Sequence, residues 1–242
     1  MKRPQFVRFS ELAPAHINRD LQVHTVASDG EATISQMLQQ AETLGLEEVA
    51  FTEHVRRTSD YFSAFAADVR SHRAGSRVYA YVGLEAKVLD EDGMLDAAPG
   101  VLAEAEVILG SVHRFPMGRE RFVPAEQFGY VEAARRELTL SLGLLRYAPI
   151  HVLAHPGGMC YRAFGQFPED YLGTLMAASL ERGIAIEINS KYTTDLDPFL
   201  ALCREVNPFI SVGSDAHRLS ELGTCRSALW ARGIGCLSPL PS

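Results

Sequence analysis

At 242 residues, 47% of them hydrophobic and 22% charged, the chain has ample material for a buried core and the composition of an ordinary globular protein. A formal net charge of −7 and the lack of any basic run of five or more exclude the electrostatic footprint of a duplex-binding protein, while leaving room for a local basic pocket. The most apolar stretch, over 138–154, is interrupted by Ser141, Arg146 and His151 and is too short and too polar to span a bilayer. In chain order, 21–25 predicts a strand. Over 33–44 the apolar residues Ile34, Met37, Leu38, Ala41 and Leu44 fall at helical spacing, with Gly45 as the expected C-cap. A second strand is predicted over 48–52, a helix over 60–72 and a third strand over 78–88, before the turn signal Asp90-Glu91-Asp92-Gly93. The fourth strand covers 107–112. An irregular insertion over 114–124 precedes a helix over 125–145 and a fifth strand over 151–154. A helix over 169–182, a strand over 184–188, a helix over 197–205 and a strand over 209–212 complete the series.

Seven strands interleaved with helices imply parallel β-α-β units. No linker, low-complexity tract or internal repeat divides 1–242, so one α/β domain is expected. A barrel is the favoured form, although a doubly wound sheet gives the same alternation. The cysteines, Cys160, Cys203, Cys225 and Cys236, form no C-x-x-C pair and read as small buried hydrophobes in a reducing compartment. Residues 1–8 carry charge with no apolar run behind them, so no signal peptide is expected and the chain reads as cytoplasmic.

Side chains of the metal-binding type fall at the ends of these strands. His24 and Asp29 lie in and after the first, His54 after the second, Glu85 in the third and His113 after the fourth. His155 follows the fifth, and Asp215 and His217 follow the seventh. Each segment alone has an ordinary reading: a core pair at Gln22-x-His24, a turn at Ser28-Asp29-Gly30, a buried paired carboxylate at Glu85. Five of the eight histidines on one rim, beside Asp and Glu, point instead to a shared site, because strand ends converge in parallel β/α folds. His16, His72 and His151 do not fit the pattern. Neutral imidazole with carboxylate suits Zn²⁺, Mn²⁺ or Fe²⁺ and needs no thiolate. Eight such residues are too many for one tetrahedral site and suffice for two or three ions.

The segment from Asp20 to Gly30 (DLQVHTVASDG) resembles the first motif of the PHP family, named for polymerase and histidinol phosphatase. Phe51-Thr-Glu-His54, Gly83-Leu-Glu85, Gly110-Ser-Val-His113, Leu153-Ala-His-Pro156 and Gly213-Ser-Asp-Ala-His217 resemble its later motifs, in the family's order. The resemblance implies a distorted (β/α)7 barrel, a trinuclear metal centre and phosphoesterase chemistry. It would place one ion on His24, Glu85 and Asp215, and a second on Glu85 as bridge with His113 and His155. A third would take Asp29, His54 and His217. Glu85, His24, Asp215 and His217 are the residues expected to carry the chemistry. Where the family usually has His-x-His this chain has Gln22-x-His24, so Gln22 stands as a weak candidate ligand. Glu53, where the family commonly has Asp, is expected to support rather than ligate.

Phosphate also calls for side-chain cations, and the candidates are Arg114 and Lys191, with Arg57 and Arg218 behind them and Arg56 nearby. Glu187 is expected to orient a neighbour. Loops over 59–61, 114–124 and 159–167 are expected to line a pocket, with Phe115, Tyr161, Phe164 and Phe167 as apolar walls. The favoured function is phosphatase action on a small phosphomonoester: a sugar phosphate, an amino-alcohol phosphate such as histidinol phosphate, or a nucleotide. In that chemistry a metal-bridging hydroxide attacks phosphorus. The alternatives are a 3′-5′ exonuclease or nucleotidase on the same fold, an amidohydrolase-like carbon–nitrogen hydrolase, and a degenerate barrel that only binds.

Overall fold

The structure, a computed structural model, describes residues 2–117, 121–193 and 195–235. Its strands are β1 (Val7–Arg8), β2 (Arg19–Val23), β3 (Glu48–Val55), β4 (Tyr79–Lys87) and β5 (Val107–Ser111), then β6 (Phe115–Pro116), β7 (Phe122–Val123), β8 (Val152–Leu153), β9 (Ala185–Asn189) and β10 (Phe209–Gly213). The helices are α1 (Pro14–Ile17), α2 (Ile34–Leu44), α3 (Phe62–Arg73), α4 (Pro99–Glu104) and α5 (Tyr130–Tyr147), then α6 (Gly158–Phe164), α7 (Glu169–Leu180), α8 (Asp197–Val206) and α9 (Thr224–Trp230).

Strands β2, β3, β4, β5, β8, β9 and β10 are parallel neighbours in that order. The sheet closes on itself through one parallel bridge, Val23 to Ala216. Two backbone bonds make it: His24 N–H donates to Ala216 O (2.8 Å) and Ala216 N–H to Gln22 O (3.2 Å). At the other end of β10, β1 pairs antiparallel, Val7 against Ile210, and Arg19 of β2 reaches across to Gln5 O at 2.9 Å. The result is a seven-stranded parallel barrel, distorted because its last seam is stitched only at the C-terminal rim. Among the described residues no helix is long and apolar enough to cross a membrane.

Local chemistry accounts for the elements. In α2, Thr33 accepts from Gln36 N–H (3.3 Å) while Gln36 Oε1 accepts from Thr33 N–H (2.9 Å), a reciprocal cap. Gly45, at φ 70°, ends the helix where a side chain would be strained. Its face of Ile34, Met37, Leu38 and Ala41 is buried against the barrel. The helix expected over 125–145 begins only at Tyr130: extended backbone at Phe128 and Gly129 separates it from a short 3₁₀ turn at Ala125–Gln127. Strand β1, the hairpin β6–β7, and helices α6 and α9 are too short to leave a periodic signal in the sequence. Cys160, Cys203 and Cys225 are free and buried, as expected, and Cys236 lies outside the described residues.

Two apolar layers form. The larger lies between the barrel and its helices. The smaller is the barrel's own interior: Leu21, Ala50, Tyr81, Val107, Leu109, Val152, Ala154 and Ala185. Strand periodicity of two then dictates what lies above it. Moving toward the C-terminal rim, Ala50 is followed by Thr52 and His54, Tyr81 by Gly83 and Glu85, and Leu109 by Ser111 and His113. The interior thus turns from apolar to polar within two residues on β3 and β5 and within four on β4. A register shift in β2 between Asp20 and Val23 changes its phase, so Leu21 joins the apolar layer and Gln22 and His24 still face inward.

Candidate metal centre

Glu85 stands at the middle of this polar layer. It is fully buried at the end of β4 and aligned in register with His54 on β3. Its Oε1 lies 2.9 Å from His113 Nε2 and 2.8 Å from His155 Nε2. Oε2 faces the other way, 3.4 Å from His24 Nε2 and 3.3 Å from His54 Nδ1. Each oxygen therefore serves two imidazoles from different strand ends.

Asp215 and Asp29 complete the set. Asp215 Oδ1 is 3.0 Å from His24 Nε2, while its Oδ2 meets Lys191 Nζ at 3.1 Å and accepts from the Tyr192 hydroxyl at 3.1 Å. Asp29, on the exposed side, lies 3.4 Å from His54 Nε2 and 3.3 Å from His217 Nε2. Three groups of donor atoms are close enough to share an ion: His24 with Glu85 and Asp215, His54 with Glu85 and His113, and His24 with Asp29, His54 and His217. The eight residues singled out as metal-binding in type are all brought together. His155 takes its place through Glu85 Oε1.

The donor chemistry fits metal ions. His24 Nδ1 and Nε2 and Glu85 Oε2 are buried and, although His24 Nε2 lies close to Asp215 and Glu85, none makes a well-aligned hydrogen bond, which is costly unless something else occupies them. Burial works against protonating His24, yet Asp215 and Glu85 beside it raise its pKa to about 10. Burial likewise opposes protonation of His155, which Glu85, Glu187 and Asp215 nevertheless raise to about 9. Burial alone would raise Glu85, but the surrounding histidines hold it well below the usual carboxylate range. A potential negative enough to hold protons on buried imidazoles is one that a divalent cation would compete for.

A second ring of residues aims the first. Glu53 Oε1 accepts from Thr25 N–H (2.9 Å) and Thr25 Oγ1 (2.8 Å), and its Oε2 accepts from Ser28 Oγ, so it holds the loop that presents Asp29. Glu187 Oε2 accepts from the backbone of His155 (2.8 Å), a residue at the unusual φ of 28°. Burial raises Glu187 to about 8. Asp20 accepts from Ser214 N–H (2.9 Å), Ser214 Oγ and Gly223 N–H (2.8 Å), bracing the turn before Asp215. Gln22 is buried, with Oε1 accepting from Asn189 Nδ2 at 3.1 Å and Nε2 lacking a partner.

A cavity of about 1010 Å³ opens onto the cluster. Lys191 and Arg114 line it. Arg218 is paired instead with Glu31 (2.8 Å), and Arg57 is an exposed residue whose N–H donates to Asp96; neither is in the lining. Of the four aromatic residues expected as walls, Tyr161 lines the cavity, while Phe115 and Phe167 are buried in the outer core and Phe164 packs against it. Phe122, Met159 and Tyr192 form walls in their place. Lys87, Arg162 and Tyr192 were not singled out from the sequence. Arg162 sits on α6, and the sequence signals that helix only by the Gly157-Gly158 pair after His155.

The chain is 26% identical over 213 residues to a protein named probable phosphatase from Caldicellulosiruptor bescii, covering 84% of this chain and 80% of that one. It is 28% identical to another so named from Syntrophotalea carbinolica, covering 89% and 88%. In fold it resembles the crystal structure of histidinol phosphate phosphatase from Lactococcus lactis, complexed with zinc, L-histidinol and phosphate. The TM-score there is 0.68 at 19% identity, with 90% of this chain and 92% of that one covered. The family model of the PHP domain matches residues 20–191, a span that takes in Glu85 on β4 and His113 and His155 just after β5 and β8, and the chain belongs to that family.

Proposed function

We propose that the protein is a metal-dependent phosphatase acting on a small phosphomonoester, with two or three divalent transition-metal ions. The observation that carries this reading is Glu85, whose two oxygens each face two imidazoles of the same buried cluster. His24, Glu85 and Asp215 would hold one ion, Glu85 with His113 and His155 a second, and Asp29, His54 and His217 a third. When bound, such ions activate water at neutral pH and offset the charge of the phosphoryl oxygens. The names of the relatives, probable phosphatases, support the same reaction.

The chain's own groups do the rest. His217 Nδ1–H donates to Asp215 O (2.8 Å), which turns Nε2 toward Asp29 (3.3 Å). Lys191 is anchored by donating to Asp215 O (2.8 Å) and sits against Asp215 Oδ2. It presents a fixed point charge where the phosphoryl group would enter. Glu187 and Asp20 hold the backbone at His155 and Ser214, so the ligand side chains are aimed before any ion arrives.

Elemental analysis after reloading with Zn²⁺ or Mn²⁺, paired with p-nitrophenyl phosphate turnover, tests the reading. More than one ion per chain and phosphate release are expected. Glu85→Ala should lose both more completely than any single His→Ala change. Zero metal after reloading, or near-normal turnover by Glu85→Ala, would sink it.

A further inference from the structure

The cavity carries more positive charge than one phosphoryl group requires. Arg56 follows β3, Lys87 closes β4, Arg114 follows β5 and Arg162 stands on α6 after β8; all four line the cavity. These strands are adjacent in the barrel, so the four cations form one continuous arc. Lys191 follows β9, the strand next to β8, and is already engaged by Asp215 and His217. Lys87 has an acidic partner, Asp96 at 3.3 Å. Arg56, Arg114 and Arg162 have no carboxylate within 4.0 Å among the described residues. The acidic residues of the lining are Asp29 and Asp215, both engaged in the candidate metal centre.

Three guanidinium groups that line one cavity and have no carboxylate partner among the described residues give it a positive potential, which a ligand of opposite charge offsets. Their planar forks match carboxylate or phosphate oxygens in pairs. Between the cations, Val55, Phe122, Met159 and Tyr161 offer apolar wall, suited to a carbon skeleton joining two charged ends. The volume leaves room well beyond a single phosphate.

We propose that this arc is a second anion subsite, and that the preferred substrate is a phosphomonoester whose alcohol portion carries another anionic group, a carboxylate or a second phosphate. Arg114, which the sequence suggested for the reacting phosphate, serves the leaving group instead. An amino-alcohol phosphate would set its ammonium against the arc and is disfavoured. The proposal rests on the phosphatase reading above.

A matched series on one propyl scaffold tests it with the metal-reconstituted protein: 3-hydroxypropyl phosphate, 3-aminopropyl phosphate, 3-phosphooxypropanoate and propane-1,3-diyl bisphosphate. At least one of the two anionic esters should exceed the hydroxyl ester in kcat/KM by about ten-fold or more, with the amino ester below it. Which anionic ester leads identifies the second group as carboxylate or phosphate. The preference should shrink as ionic strength rises from about 0.05 to about 0.5 M. It should fall toward unity in an Arg56→Ala/Arg162→Ala double variant and be partly kept by the corresponding Lys variants. Equal kcat/KM across hydroxyl and anionic esters, or a preference that survives the double variant, overturns the subsite and leaves the phosphatase reading standing. Failure to release phosphate from this series and from p-nitrophenyl phosphate removes both.

Discussion

Asp20 lies at the foot of the polar layer, is 1% exposed, and meets the candidate ligands only through the backbone N–H of Gln22. Burial pushes its carboxyl from 3.8 up to about 6, against the opposing pull of Ser214 and Gly223, which donate to it. Between those two values the folded protein binds a proton that the unfolded chain has lost, so stability falls as pH rises through the window. The displacement amounts to about 3 kcal/mol once both states are ionised, at about 1.4 kcal/mol per unit. In Asp20→Asn the charge is gone, but the amide nitrogen replaces one acceptor oxygen and confronts a donor, Ser214 N–H or Gly223 N–H, at a cost of about 1–3 kcal/mol. The variant should therefore be less stable than the parent near pH 4.5 and should draw level with it, or pass it, by pH 7. Between about pH 4.5 and about pH 7 some two-thirds of that displacement, about 2 kcal/mol, is traversed, which for a chain of this length corresponds to roughly 4–8 °C in Tm. Calorimetry of both proteins with chelator present, from about pH 4.5 to 7, measures it. A Tm difference that stays constant across the range would refute the reasoning.

Gly213→Ala drives a Cβ into Glu187 Oε1 and places it 2.9 Å from Gln22 Cβ. It should cost about 1–3 kcal/mol by overpacking and weaken retention of an added divalent metal through His155, which Glu187 holds; denaturant titration and chelator competition read the two effects, and an unchanged midpoint would contradict the close packing. Gln22→Ala should lower metal occupancy less than His24→Ala, because Gln22 Oε1 is engaged with Asn189 whereas His24 sits against both Glu85 and Asp215. Equal losses by elemental analysis would make Gln22 a ligand in its own right.

What the sequence discloses follows from distance along the chain. Alternation of strands and helices is a local pattern, so the parallel β-α-β units and the candidate ligands at the strand ends are readable, whereas closure into a barrel depends on the bridge from Val23 to Ala216, far apart in sequence. Lys191 is readable for the same reason, since it follows β9 on the same rim. The bracing by Asp20 is not: its partners Ser214 and Gly223 lie about 200 positions away, and within Asp20-Leu-Gln-Val-His24 it looks like the start of a strand. The arc of Arg56, Lys87, Arg114 and Arg162 is hidden too. Arg114 and Arg56 are legible as separate candidates, but Lys87 and Arg162 resemble surface charges, and only strand order makes the four neighbours. Gln22 shows the opposite limit, since a residue type that departs from the family pattern says nothing about where its amide turns, and the partner Asn189 emerges only in three dimensions.

The seam of the barrel also bears on how the chain is built. Strand β1 waits for Phe209 and Ile210, and β2 waits for Ala216, so the earliest strands to leave a ribosome meet their partners among the latest. Contacts of such sequence separation slow folding, because loop closure precedes any gain from pairing. Until residue 216 emerges, Asp20, Gln22 and His24 have no wall on one side and remain open to solvent. The centre is thus among the last parts of the molecule to be assembled, and a nascent chain has no means of gathering its donor set early.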